Sequence, residues 1–219
     1  MEHSKRLSAV LAAAAISLFA TNAPAVDGVI LIDQNKALAG NATPGDTAGF
    51  PVIISQPGSY RLSSNLTVPS GQSGIQVNVS NVTIDLNGFG ITTPVQPQSP
   101  TTFGIFFGGA EAPQNITVLN GSVQGFVFPV ALVAQNAGCQ FCTFEKLLLR
   151  WGSAGGASSL DFGSYVRIHR VTAPGHDINV LCPSVVTNTV ARGIAIGVPL
   201  PGGPIQEAGI CTFAHNGTL

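Results

Sequence analysis

Asn81-Val82-Thr83-Ile84-Asp85-Leu86-Asn87-Gly88 and Asn115-Ile116-Thr117-Val118-Leu119-Asn120-Gly121 are two copies of one pattern. Each alternates aliphatic with polar residues and is bounded by Asn and Gly, which reads as a half-buried strand between turns. Weaker copies follow at Phe141-Cys142-Thr143-Phe144-Glu145-Lys146 and Tyr165-Val166-Arg167-Ile168-His169-Arg170. The copies recur at roughly 22 to 34 residues, the range of a solenoid coil. Between them lie strand starts of a second kind: Gly74-Ile75, Gly104-Ile105, Pro129-Val130, Asn179-Val180 and Gly209-Ile210. Two strand types per coil, joined by Gly, Pro and Asn turns, predict an all-β parallel β-helix whose rungs stack at ~4.8 Å.

Alternation then assigns the faces. Val82 and Ile84, Ile116 and Val118, Cys142 and Phe144, and Val166 and Ile168 point inward. Thr83 and Asp85, Thr117 and Leu119, Thr143 and Glu145, and Arg167 and His169 point outward. The rival fold is an antiparallel sandwich, which would use Asn87-Gly88 and Asn120-Gly121 as hairpin turns. Recurrence of similar strands in one orientation favours the solenoid.

The 219 residues suffice for one domain with a continuous core. Residues 1–25 read as a secretory signal: Lys5 and Arg6, an apolar run from Leu7 to Ala20, then Ala23-Pro24-Ala25 as the cleavage site. The apolar run is shorter than the roughly 20 residues that span a bilayer, and no later segment of the mature chain reads as a transmembrane segment. Residues 26–55 are expected to cap the solenoid, with a short helix at Gln34 to Ala39 closed by Gly40-Asn41, and residues 56–219 to form the β-helix. Charged residues make up only 9% and the net charge is −1, so no basic field recruits nucleic acid. A hydrophobic content of 45% excludes a disordered chain. The expected location is secreted or periplasmic, or attached at the cell surface.

Gly45-Asp46-Thr47-Ala48-Gly49-Phe50-Pro51-Val52-Ile53-Ile54-Ser55-Gln56-Pro57-Gly58-Ser59-Tyr60-Arg61-Leu62, Asn65-Leu66-Thr67-Val68 and the Asn81–Gly88 copy together carry a family likeness. They resemble the start of exported bacterial right-handed parallel β-helix repeat proteins of the pectin lyase-like superfamily. The resemblance is close over roughly residues 27–125 and architectural beyond. It implies fold, right-handedness and export. That superfamily includes polysaccharide lyases, glycoside hydrolases, epimerases and adhesins, so the likeness does not choose a function.

A lyase requires a base beside a uronate carboxylate and a way to neutralise that carboxylate, often calcium held by several acids. Here the outward column offers Asp85, Leu119 and Glu145, placing the two acids two rungs or ~9.6 Å apart, a poor calcium cage. Glu145, Arg167, His169 and Arg170 form the densest polar group and are the candidate catalytic residues. The bland reading of the same group is a ladder of complementary surface charges. A glycosidase would require paired carboxyl groups at ~5 to 9.5 Å. Asp161 and Asp177 stand apart in sequence, Asp177 in a polar turn, Pro174-Gly175-His176-Asp177. Trp151 is a lone candidate for sugar stacking or for packing.

Cys139 and Cys142 make a single C-x-x-C with no His cluster to complete a zinc site, and read as two small strand residues of which one is buried. Cys182 and Cys211 lie about one coil apart, so a disulfide between adjacent rungs is open, although aligning Val180 with Ile210 would put them on opposite faces. The N-x-[ST] sequences at Asn41, Asn65, Asn78, Asn81, Asn115, Asn120 and Asn216 read as turn and strand residues.

These readings converge on a non-catalytic exported or surface protein that binds carbohydrate or a surface partner through Thr83, Asp85, Thr117 and Thr143. The alternative is a polysaccharide lyase or glycoside hydrolase acting on an acidic polysaccharide. No cofactor or metal is expected, calcium entering only with the lyase. No polar cap follows the last strand start at Ile210, so the expectation is either a truncated relative or end-to-end self-association.

Overall fold

The computed structural model describes residues 28–94, 102–108, 113–132, 139–150, 158–162, 165–196 and 211–218. The expected signal segment, Trp151, Gly209-Ile210 and the side chain of Asp161 lie outside what it describes. The elements run β1 (Ile30–Ile32), α1 (Gln34–Ala39), β2 (Val52–Ile54), β3 (Gly58–Leu62), β4 (Leu66–Thr67), β5 (Ile75–Val77) and β6 (Val82–Asp85). Next come β7 (Gly90–Thr92), β8 (Phe103–Phe107), β9 (Ile116–Gln124), β10 (Phe128–Leu132), β11 (Thr143–Arg150) and β12 (Ser158–Phe162). The chain continues with β13 (Arg167–His169), β14 (Thr172–Val180), β15 (Val185–Thr187), β16 (Val190–Ile196), β17 (Thr212–Ala214) and β18 (Gly217–Thr218).

These strands form a parallel β-solenoid. Its first face stacks β1-β3-β6-β9-β11-β13-β15-β17, every pair parallel. A second face joins β4 and β7 to the C-terminal halves of β9 and β11, then to β14, β16 and β18. The third carries β2-β5-β8-β10, beside which β12 pairs with the end of β14. Because the pairs are parallel, Asn87-Gly88 and Asn120-Gly121 close no hairpins. β1 and β2, within the stretch expected to cap the solenoid, pair with β3 and β5 at the N-terminal end of two sheets.

The first-face register follows the alternation residue for residue. Val82 lies beside Ile116, and Ile84, Val118, Phe144, Ile168 and Val186 form one inward column, each 0% exposed. Tyr60 joins that column and buries its ring because its hydroxyl donates to the Gln56 carbonyl at 2.7 Å. Each such side chain stabilises its rung by ~1.5–3 kcal/mol relative to exposure. On the third face Ile75, Ile105 and Val130 align, so Gly74, Gly104 and Pro129 share one register position, although β8 and β10 begin one residue earlier, at Phe103 and Phe128.

Coil length varies while register holds. Partners across neighbouring rungs are separated by 34 residues at Asn81 and Asn115, 26 at Gln114 and Gln140, and 18 at His169 and Thr187. The last value falls below the expected spacing.

Two columns of left-handed residues make the corners of the first face. Asn81, Asn115, Phe141 and Tyr165 (φ 62°, 55°, 57° and 58°) open it. Asn120, Lys146, Arg170, Asn188 and His215 (φ 51° to 60°) close it, and at Asn120 and Lys146 the long strands β9 and β11 turn onto the second face. Asn tolerates this conformation, which accounts for the Asn-rich turns. At the N-terminal end α1 is capped by Asp33, whose carboxylate accepts from the Lys36 N–H at 2.9 Å, and it ends at Gly40 (φ 86°).

Candidate functional site

The outward side of the first face presents two columns. One is Ser59, Thr83, Thr117, Thr143, Arg167, Val185 and Thr212. The other is Arg61, Asp85, Leu119, Glu145, His169, Thr187 and Ala214. Thr83, Thr117 and Thr143 are thus rung neighbours at ~4.8 Å, a hydroxyl ladder. Asp85 and Glu145 are two rungs apart with Leu119 between them.

Each of the two acids already has partners of its own. Asp85 accepts from Arg61 Nε at 3.1 Å, from the Asn87 N–H at 2.9 Å and from Asn120 Nδ2 at 3.2 Å. The last two contacts make Asp85 a brace for the closing corner. Glu145 pairs with Lys146 Nζ at 3.2 Å. That hydrogen bond, aided by the charges of Lys146, His169 and Arg167, holds the Glu145 carboxyl below the usual carboxylate range. Two separated, engaged carboxylates do not fit a calcium cage.

The structure brings Glu145 beside His169 and Thr143 beside Arg167 across one rung step. His169 Nδ1 meets Thr187 Oγ1 at 2.8 Å. Arg170 stands one residue further, exposed on the closing corner beside Lys146. All four candidate catalytic residues therefore lie on two adjacent rungs, joined by Lys146, which sequence reasoning did not single out. Among the described residues no three His, Cys, Asp or Glu side chains group as metal ligands, and no helix is long and apolar enough to cross a membrane.

The opening corner carries a second feature that sequence reasoning missed. Phe141 and Tyr165 stack at 4.9 Å between ring centroids and 26° between planes, with 54% and 48% of each residue exposed. Their positions match Asn81 and Asn115, whose side chains are hydrogen bonded at 2.8 Å. That alignment was the available signal.

Two local readings change, and the open one at Cys182 and Cys211 is resolved. Pro174-Gly175-His176-Asp177 is no loop but part of β14, which accommodates it by a register shift between Ala173 and Asp177. His176 is wholly buried there, and Asp177 accepts from Arg192 Nε at 2.9 Å in an ion pair. Cys139 and Cys142 are both buried and joined to each other. Left-handed Phe141 interrupts the alternation that would have sent them to opposite sides. Cys182 and Cys211 are also joined, with Cα atoms 5.1 Å apart. Val185 pairs with Thr212, which brings Cys211 beside Ser184 and within reach of Cys182.

Comparison with protein-family models, with curated proteins and with solved structures finds no match to this chain.

Proposed function

We propose that this chain is an exported or cell-surface right-handed β-helix of the pectin lyase-like type that binds carbohydrate through its first face without transforming it. The observation that carries the reading is the Thr83-Thr117-Thr143 ladder leading into Arg167, with Lys146 and Arg170 on the same two rungs. Evenly spaced hydroxyls can donate to and accept from sugar hydroxyls, and the adjoining cations suit an acidic sugar. The geometry speaks against hydrolysis: Glu145 is engaged by Lys146, and the other acid of its column, Asp85, is engaged by Arg61 and lies two rungs or ~9.6 Å away, beyond the ~5 to 9.5 Å of a glycosidase pair.

The alternative, a lyase acting on an acidic polysaccharide, draws on the proximity of Glu145, Arg167, His169 and Arg170. One experiment separates the two. The purified chain is screened on a glycan array and, in parallel, incubated with acidic polysaccharides with and without calcium while unsaturated uronide is followed by ultraviolet absorbance. Binding without product release is expected. Product release that disappears in Arg167→Ala/Arg170→Ala would replace the binding reading with the lyase. Neither binding nor release would leave both unsupported.

A further inference from the structure

The opening corner changes character half-way along the solenoid. Asn81 and Asn115 fill it in two rungs, and Phe141 and Tyr165 fill the same position in the next two. Asn enters the left-handed conformation readily, whereas a bulky ring there is an outlier. Burial does not compensate, since about half of each residue faces water. A conformational cost kept on the surface points to a use for the rings.

The geometry limits that use. The ring centroids are one rung step apart at 4.9 Å, and with about half of each residue exposed the stacked pair presents apolar surface to solvent. Two residues along each strand, Thr143 and Arg167 stand side by side and point outward. Among the described residues the ion pairs engage Lys36, Arg61, Lys146 and Arg192 but not the exposed Arg167, which acts on Glu145 through its charge alone. An apolar platform, a hydroxyl and a cation within about two residue lengths, or ~7 Å, match a pyranose ring with one apolar C–H face and one anionic substituent.

We propose that Phe141, Tyr165 and Arg167 form a binding site for an anionic glycan, the sugar ring resting on the aromatic pair and its carboxylate or sulfate held by Arg167. This rests on the carbohydrate-binding reading and adds to it a location and a ligand charge. A cationic ligand is disfavoured because Arg167 would repel it.

The fold itself supplies the test variant. Phe141→Asn/Tyr165→Asn installs the residue that the two preceding rungs carry, so the corner keeps a residue suited to its backbone. Isothermal titration of the chain against a glucuronate hexasaccharide, a sulfated cellohexaose and neutral cellohexaose should rank at least one anionic probe tenfold or more above the neutral one. The double variant should lose at least tenfold for every probe that binds, with its urea midpoint not lowered. Arg167→Gln should weaken only the anionic probes, and the two anionic arms tell carboxylate from sulfate. Wild-type binding that survives the double variant would overturn the site while leaving carbohydrate binding intact. Equal affinity for neutral and anionic probes would overturn the role of Arg167. No binding of any probe by the wild type would overturn both this site and the reading on which it rests.

Discussion

Replacing Gly104 with alanine should destabilise the solenoid by roughly 2–3 kcal/mol, near the top of the range for overpacking a core. A Cβ at Gly104 would run into the Pro129 carbonyl oxygen of the next rung and the Val123 side chain, and would press on Phe126 at 3.2 Å. Val123 and Phe126 are both 0% exposed, so neither can swing into solvent, and the carbonyl cannot move without shifting a rung. Against this, alanine restricts the unfolded chain and returns about 0.4–1 kcal/mol. Gly88→Ala is the matched control: its φ is +82° but nothing lies within 4 Å of the added carbon. Only the left-handed cost of roughly 1–2 kcal/mol applies there, less the same entropic return. Urea unfolding of both variants should show unchanged slopes and, at a slope of about 2–3 kcal/mol per molar, a midpoint about 1 M lower for Gly104→Ala. A Gly104→Ala loss no larger than that of Gly88→Ala would refute the claim that rung-to-rung closeness, rather than backbone conformation, demands this glycine.

Other consequences follow from the same packing. Phe144→Ala, which empties a wholly buried site beside Phe107, should lose roughly 3–5 kcal/mol by urea unfolding. Cys182 and Cys211 close a separation of 29 residues, worth roughly 3.5 kcal/mol by loop entropy, against roughly 1.5 for the 3-residue separation of Cys139 and Cys142. Cys182→Ser/Cys211→Ser should therefore lower the melting temperature more than Cys139→Ser/Cys142→Ser, as read by calorimetry. Burial pushes the Asp46 carboxyl above its ordinary 3.8, opposed by backbone N–H groups including that of Ile53, while Oδ2 is buried without a hydrogen bond. Its stabilisation is present below pH 3.8 and lost as pH rises through the folded value. Relative to Asp46→Asn, the wild type should then weaken over that window by at most about 1.4 kcal/mol per pH unit in urea titrations. Asp177 has the opposite sign: its hydrogen bond to Arg192 holds it below 3.8, so its contribution is present above that value and lost on acidification. Asp177→Asn should abolish that acid sensitivity.

The fold was legible wherever period and packing agreed. Val82, Ile84, Ile116 and Val118 alternate strictly with Thr83, Asp85, Thr117 and Leu119, and the register reproduces that pairing. Gly74 and Gly104 marked the third face because only a residue with no Cβ fits where rungs close this tightly. The corners were half legible. Asn81, Asn115 and Asn120 announce a left-handed turn by type, whereas Phe141, Lys146, Tyr165 and Arg170 adopt it because neighbouring rungs impose it. Pro174-Gly175 keeps its local turn preference as a bulge, Gly175 at φ 85°, between the pairs Ala173–Ala191 and Asp177–Gly193, so the strand continues around it. The charged group was readable as a set because alternation placed Glu145, Arg167 and His169 outward. Lys146 was hidden because it lies at the corner, where alternation no longer applies.

The rungs hold register although neighbouring partners lie 18, 26 or 34 residues apart. Hydrogen bonding along the axis and the two corner columns fix where each strand starts, and the remaining residues of a coil are free to be few or many. An inserted peptide is therefore a local amendment, borne by the coil that receives it, and the threading of every other coil is untouched. For protein engineering this makes the solenoid a rack. A recognition loop could be mounted at one level beside the Thr83-Thr117-Thr143 ladder and lengthened at will, without resetting the height or heading of the levels around it.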